Sequence, residues 1–342
     1  MNCLFARLSR PSRLSRLSRF SRLSRWVLVP SLAFTLGLVS ACGGTSQDAV
    51  TAHSASDMTA EQIDADPIAL LPASPIAVAN VDARALYTSS LGPQVGKLTE
   101  RLLPIGEEAG FRASRDVDRI VLGSYSMQGV DVAAVVVGRF DDKKLDELAK
   151  KNTASTGGVQ VVQSTYAGRT LYTVNNVGIC ILTAHTVLAG TETGMRRALD
   201  RIKEGHVKRA VPDWMLTTLE TAGAAGAVAA DLSAQNLANI SAGPLKLDWL
   251  KGLQKVRAVG NLKESGMELS GSLAYDTADA AQTGARGIES ANNLATVLAA
   301  TGLIPRIQGL EAKVADTSVQ WKFAVDDQAL RTLLAAVEKY AF

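Results

Sequence analysis

The chain has 342 residues, 47% of them hydrophobic and 20% charged, enough apolar material for one large core or two smaller ones. Its formal charge of +3 is set by residues 1–41, which hold seven arginines and no acidic residue. Without them 36 basic residues become 29 against 33 acidic ones, and a chain at −4 has no electrostatic reason to seek nucleic acid.

The arginines sit in a Ser-Arg-Leu/Phe repeat of period three, from Arg7 to Arg25. On a helix each successive arginine slips by about 60°, so the run has no apolar face and makes a poor amphipathic helix. It reads as the positive end of an export signal, held on the anionic cytoplasmic leaflet at about 1 kcal/mol per arginine and lengthened by low-complexity expansion or an upstream start. "WVLVPSLAFTLGLVSA" follows, Trp26 to Ala41, interrupted by Pro30, Ser31, Thr35, Gly37 and Ser40. It is too short and too broken for a permanent membrane span of about 20 apolar residues.

That segment ends Val39-Ser40-Ala41-Cys42, which resembles the lipobox of bacterial lipoproteins. The resemblance covers the first 42 residues only. It implies a signal peptide over residues 1–41, cleavage between Ala41 and Cys42, and a thioether-linked diacylglycerol on Cys42. Gly43 stands where an aspartate would favour inner-membrane retention. The implied address is the periplasmic face of the outer membrane, or the cell membrane if the source is not Gram-negative. Two or three acyl chains anchor stably where one is marginal. Of the other cysteines, Cys3 falls in the signal and Cys180 lies in the apolar run "VGICILTA", so no disulfide framework is expected.

Residues 42–66 are small and polar and read as a lipidated cysteine with a flexible tether, spanning roughly 25–30 Å as a coil. From Pro67 the patterns alternate between strand and helix. A strand is predicted in Ser74–Leu86, ending at Asp82, then an amphipathic helix with Leu91, Val95, Leu98 and Leu102 inward. "DVDRIVLGSYSM" and "VDVAAVVVGRF" read as two strands about a turn at Gln128-Gly129. A helix follows Asp141 and Asp142, with Leu145 and Leu148 inward. A hairpin is predicted about Ala167-Gly168, then further strand through "VGICILTAHTVLAG" and a helix through "TETGMRRALDRIKEG".

After a joint at residues 206–222, "AVAADLSAQNL" echoes the earlier "AVANVDARAL". A strand pair about Ser265-Gly266, a long Ala-rich helix, a second strand pair and a closing helix with Leu330, Leu333, Leu334 and Val337 inward complete the chain. Strand, Asp-Asp, helix occurs twice, at Asp141-Asp142 and Asp326-Asp327, which suggests an internal duplication. The expected fold is α+β: antiparallel sheets with helices packed on one face, as two similar ferredoxin-like halves over residues 67–205 and 223–342.

The sequence offers little chemistry. No Gly-x-Ser-x-Gly occurs; Ser124 and Ser126 in "GSYSMQG" have the wrong spacing and read as strand-edge residues. Three histidines survive maturation: His53 in the tether, His206 in the joint and His185 in "ILTAHTVLAG". Only His185 has a structured setting, and no partner for it is evident as a base. No His or Cys pair has metal-ligand spacing, and no phosphate-loop pattern occurs; "GAAGA" from Gly223 reads as a linker. The Asp pairs are read as helix caps, with calcium ligation the alternative. Asp116 and Asp118 read as a loop entering a strand. Trp321 alternates into a core, while Trp214 and Trp249 are core residues or half-exposed anchors for a partner.

No catalytic residue, metal site or cofactor is therefore assigned. The expected function is a lipid-anchored cell-envelope binding or scaffold protein without catalytic activity, attached to the membrane through Cys42 and free of nucleic acid. The alternatives are a periplasmic carrier of a lipid or other apolar ligand, and an enzyme of unrecognised type. An envelope protein partner or an apolar ligand is implied accordingly.

Overall fold

The structure is a computed structural model that describes residues 58–102, 110–126, 131–150, 161–174, 177–205, 208–237, 241–242, 245–300 and 307–340. The signal segment with Cys3, Ala41 and Cys42, the tether up to residue 57 with His53, the Gln128-Gly129 turn and His206 all lie outside the described residues. The side chains of Leu102, Leu145, Leu148, Leu333 and Val337 do too.

The body begins before Pro67, which corrects the extent of the tether. α1 spans Ala60–Ala65 and opens on a reciprocal cap: Thr59 Oγ1 accepts the Gln62 N–H, and Gln62 Oε1 accepts the Thr59 N–H at 2.9 Å. Met58 and Ile63 are buried, and the Met58 N–H donates to the Ile202 carbonyl. A 3-10 turn at Pro67–Leu70 is buried throughout.

The chain then runs β1 (Ala77–Asp82), α2 (Ala83–Thr88), α3 (Gly92–Leu102), α4 (Ala113–Asp116), β2 (Val117–Ser124), β3 (Val132–Gly138) and α5 (Asp142–Lys150). Two hairpins follow, β4 (Val162–Tyr166) with β5 (Arg169–Val174), and β6 (Val177–Ile181) with β7 (Thr186–Thr191). The first turns through Ala167 and Gly168 at φ 50° and 78°, the left-handed pair that matches strand twist. α6 (Glu192–Lys203) is capped by Thr191, ends in Arg201 and Lys203, and buries Met195, Ala198, Leu199 and Ile202 at helical spacing.

α7 (Asp213–Leu219) fills much of what the sequence suggests is a joint. It is no linker: Met215 and Leu219 are buried in the main core. β8 (Gly226–Asp231), the short β9 (Ser241–Ala242) and β10 (Leu245–Lys246), β11 (Leu253–Lys263), β12 (Gly266–Tyr275), α8 (Ala278–Ala300), β13 (Ile307–Ala315), β14 (Ser318–Asp326) and α9 (Asp327–Tyr340) complete the order.

Among the described residues, twelve strands form one sheet in the order β13-β14-β12-β11-β8-β1-β2-β3-β7-β6-β5-β4, and every neighbouring pair is antiparallel. The α+β class is therefore as expected. Strands from residues 77–191 lie together on one side of the sheet centre, and those from 226–326 on the other. β1 joins β8 at that centre, with Ala77 opposite Ala230 and Ala79 opposite Val228. A ferredoxin-like half would leave a strand between the two that flank its first helix. Here β1 lies directly beside β2, and β8 directly beside β11, because each chain segment returns to the adjacent sheet position.

Helices cover both faces rather than one. Successive strand residues point to opposite faces, and directly opposed residues share a face. Val78, Val121, Val135, Leu188 and Ala229 pack with α1, α6 and α7 in the largest cluster. Val136 and Val187, one residue out of phase, belong to clusters on the opposite face, as do Leu273 and Val319, which pack on Ala281 and Ala285 of α8. A helix's apolar stripe fixes that it packs on a sheet, and leaves open on which side. Each large side chain buried in this way contributes roughly 1.5–3 kcal/mol before conformational entropy is set against it.

Candidate functional site

On the α7 face, the sheet beyond β8 has a polar surface. The strand register places two rows of side chains across it. One row is Arg257 (β11), Ser272 (β12), Gln320 (β14) and Lys313 (β13); the next is Val259, Ser270, Lys322 and Glu311. With Thr217, Thr218 and Thr221 of α7 and the loop behind it, these residues line an open groove of about 570 Å³. Among the described residues, the groove holds three cations and one carboxylate. Lys322 Nζ lies 3.2 Å and Lys313 Nζ 3.7 Å from Glu311, so both lysines share one acid. Arg257 has no carboxylate within ion-pair distance among the described residues. Its guanidinium instead lies 5.2 Å from the centre of the Trp214 ring, which Lys255 also approaches at 5.1 Å.

The groove's hydroxyls divide into two kinds. On α7, Thr217 Oγ1 donates to the Asp213 carbonyl, Thr218 Oγ1 to that of Trp214 and Thr221 Oγ1 to that of Thr218. Their protons are used, and their oxygens remain as acceptors. On the floor, the side chains of Ser270, Ser272 and Gln320 make no hydrogen bond to another described residue, so they can both donate and accept. Gly271 lies on the opposite side of β12. A Cβ there would come 2.6 Å from the Trp321 ring and 2.0 Å from the Arg257 carbonyl oxygen, so only glycine lets these strands and that ring approach.

The residues singled out from sequence are scattered. His185 is exposed, with Nδ1 3.2 Å from the Gly138 carbonyl oxygen. Ser124 ends β2 opposite Ala77 and Val132, well separated in the register from His185. Cys180 is fully buried, and burial pushes its thiol up to about 11, which makes it a packing residue rather than a nucleophile. Asp141 and Asp326 cap helices: Asp141 Oδ1 accepts the Lys143 N–H at 3.0 Å, and Asp326 Oδ1 accepts the Ala329 N–H at 2.7 Å. Among the described residues no group of three His, Cys, Asp or Glu could hold a metal ion. Trp249 packs against α8, where a Cβ on Gly287 would meet it at 2.4 Å, and Trp321 packs in the same cluster and stacks on Phe323. Among the described residues no helix is long and apolar enough to cross a membrane. The groove's cations carried no sequence signal, because they lie on three strands up to 65 residues apart and meet only through the register.

No family model matches this chain, and no curated protein matches it. Among solved structures, crystal form III of TP0453 is similar over 79% of this chain and 98% of that chain, with a TM-score of 0.53 at 11% identity. Crystal form I of TP0453 is similar over 80% and 97%, with a TM-score of 0.50 at 9% identity. The likeness at such identity is one of fold.

Asp116, read from the sequence as part of a loop, is a buried carboxylate that closes α4. Its oxygens accept from both sides of the Arg115 guanidinium at 2.7 and 2.6 Å and from the Arg112 N–H at 2.8 Å. Burial raises its pKa, but these hydrogen bonds and the Arg115 and Arg139 charges outweigh it and hold the carboxyl below its ordinary value. The resulting stability is complete above about pH 3.9 and is lost as pH falls through the lower folded value. Asp116→Asn should therefore cost about 1–3 kcal/mol at neutral pH. In urea unfolding, the gap between the two proteins should close as the medium is acidified below that range.

Proposed function

We propose that the chain is a lipid-anchored binding or scaffold protein of the cell envelope that works without catalysis, held by Cys42 at the periplasmic face of the outer membrane. In a source with a single membrane, the same anchor holds it at the cell membrane. The anchor rests on the Val39-Ser40-Ala41-Cys42 pattern and on Gly43 after it. The binding role rests on one observation: a groove open to solvent that presents unpaired hydroxyls and an excess of cations. We also read the two strand blocks as a duplicated unit. In each, the third strand pairs with the last one and a helix follows, at β3, β7 and α6 and again at β12, β14 and α9. The "AVANVD" and "AVAAD" echo falls on β1 and β8, which pair with each other.

A second reading, a carrier of apolar ligands, is favoured by the opposite face of the sheet. Val228 sits at the centre of the sheet yet is 42% exposed, flanked across strands by Ala79 and Ala258 and along its own by Gly226 and Ala230. Side chains this small make an apolar strip on the α8 face, which we read as a seat for an acyl chain.

Metabolic labelling with palmitate tests the anchor. Wild type should incorporate label and Cys42→Ser should not; label retained on the mutant refutes the anchor. For the carrier reading, a fluorescent fatty acid should brighten on binding the purified chain and be displaced by palmitate. Val228→Glu should weaken that binding at least about tenfold, and equal binding by the variant eliminates the strip as the site.

A further inference from the structure

Building on the binding reading above, we infer that the polar groove takes an acidic oligosaccharide, laid across the strands with its anionic groups on Arg257 at one end and Lys313 at the other. The register sets the spacing. Arg257, Ser272, Gln320 and Lys313 stand on four adjacent strands, so the backbones that carry the end cations are three strand gaps, about 14 Å, apart. Between them lie a hydroxyl and an amide with no internal partner. Such a row suits a ligand of a few sugar units with charge at both ends and hydrogen-bonding groups between.

The chemistry of the walls narrows the class further. Thr217, Thr218 and Thr221 have committed their protons to backbone carbonyls, so the α7 wall offers acceptors and calls for ligand hydroxyl donors. A bare anion satisfies only the cations. A carboxylated or phosphorylated sugar satisfies the cations, the floor and the wall together. Lys322 adds a third positive group in the neighbouring row, and Glu311 compensates only one of the three. Glu268, farther along the same face of β12, lies 4.0 Å from Lys263 and leaves the row uncompensated. Trp214 holds Arg257 at 5.2 Å by its ring face, which limits the rotamers the guanidinium loses on binding. With both cations drawn to that ring, Trp214 serves as a positioning residue, and base stacking on it by a nucleic acid is disfavoured.

The test is calorimetric titration of the full-length chain, purified in a neutral detergent, with oligogalacturonate. The expected result is saturable binding that weakens with salt and is absent for the methyl-esterified, uncharged oligomer. Arg257→Ala and Lys313→Ala should each weaken binding at least about tenfold, the scale of one hydrogen bond to a charged group, and Ser272→Ala by less. Arg257→Lys should recover part of the loss. All three positions are exposed or half-exposed, so the variants should keep the wild-type unfolding midpoint, and all should keep the palmitate label that reports the anchor. Equal binding of the esterified oligomer, or unchanged binding by both alanine variants, overturns the assignment. So does tighter binding to polyglutamate, or to phosphatidylcholine vesicles containing phosphatidylglycerol, with the same dependence on Arg257 and Lys313.

Discussion

The pairing of β1 with β8 is the constraint on which the rest of the molecule depends. Each strand is the innermost of its block, and neither block closes on itself. Left apart, each would present an unpaired edge lined with small apolar residues, an invitation to aggregation. Paired, Ala77, Ala79, Ala229 and Ala230 bring the two backbones together, and the ladder runs unbroken through twelve strands. α7 then lies across the seam, with Met215 and Leu219 in the same core as Val78 and Ala229. The Asn80 side chain ties the seam to that helix by donating to the Leu219 carbonyl at 2.8 Å.

Once the sheet is continuous, the period-two alternation of its strands decides what each face can do. On one side α1 and α6 cover the block that begins with β1, and α7 covers the seam and stops short of β12. The uncovered strands carry Ser270, Ser272, Gln320 and their neighbouring cations, and the polar groove results. On the other side α8 covers Leu273 and Val319, and small residues around Val228 make an apolar strip. A hydrophilic and an apolar surface thus lie on opposite faces of the sheet and share strand β11, the first running outward over β12, β14 and β13 and the second inward over β8 and β1. A lipid anchor would keep both beside a membrane, so a protein of this design could meet a soluble ligand on one face and an acyl chain on the other.

Much of the fold was legible in local patterns. Turn chemistry at Ala167-Gly168 and Ser265-Gly266 marks two hairpins, and the long Ala-rich segment forms α8. The echo between "AVANVD" and "AVAAD" pointed to two related strands, though nothing local says that they pair. The sequence pattern hides α1 despite its Thr59–Gln62 capping box, because the small polar segment around it outweighs two buried residues, Met58 and Ile63. The seven residues of α7 give too short a stripe to read as a helix within the joint. The side of the sheet each helix takes, and the groove itself, are products of long-range register. Arg257 and Lys313 become neighbours in function only after four strands align, and no window of sequence contains that information.

Native-state hydrogen exchange followed by fragmentation measures the seam directly. If one cooperative sheet is built on β1 and β8, their amides should be among the slowest in the protein and should lose protection together as denaturant rises. Strands β2, β3, β11 and β12 on either side should open in the same step. Exchange of residues 77–191 in one event and of 226–326 in another, with β1 and β8 released at different free energies, would contradict it.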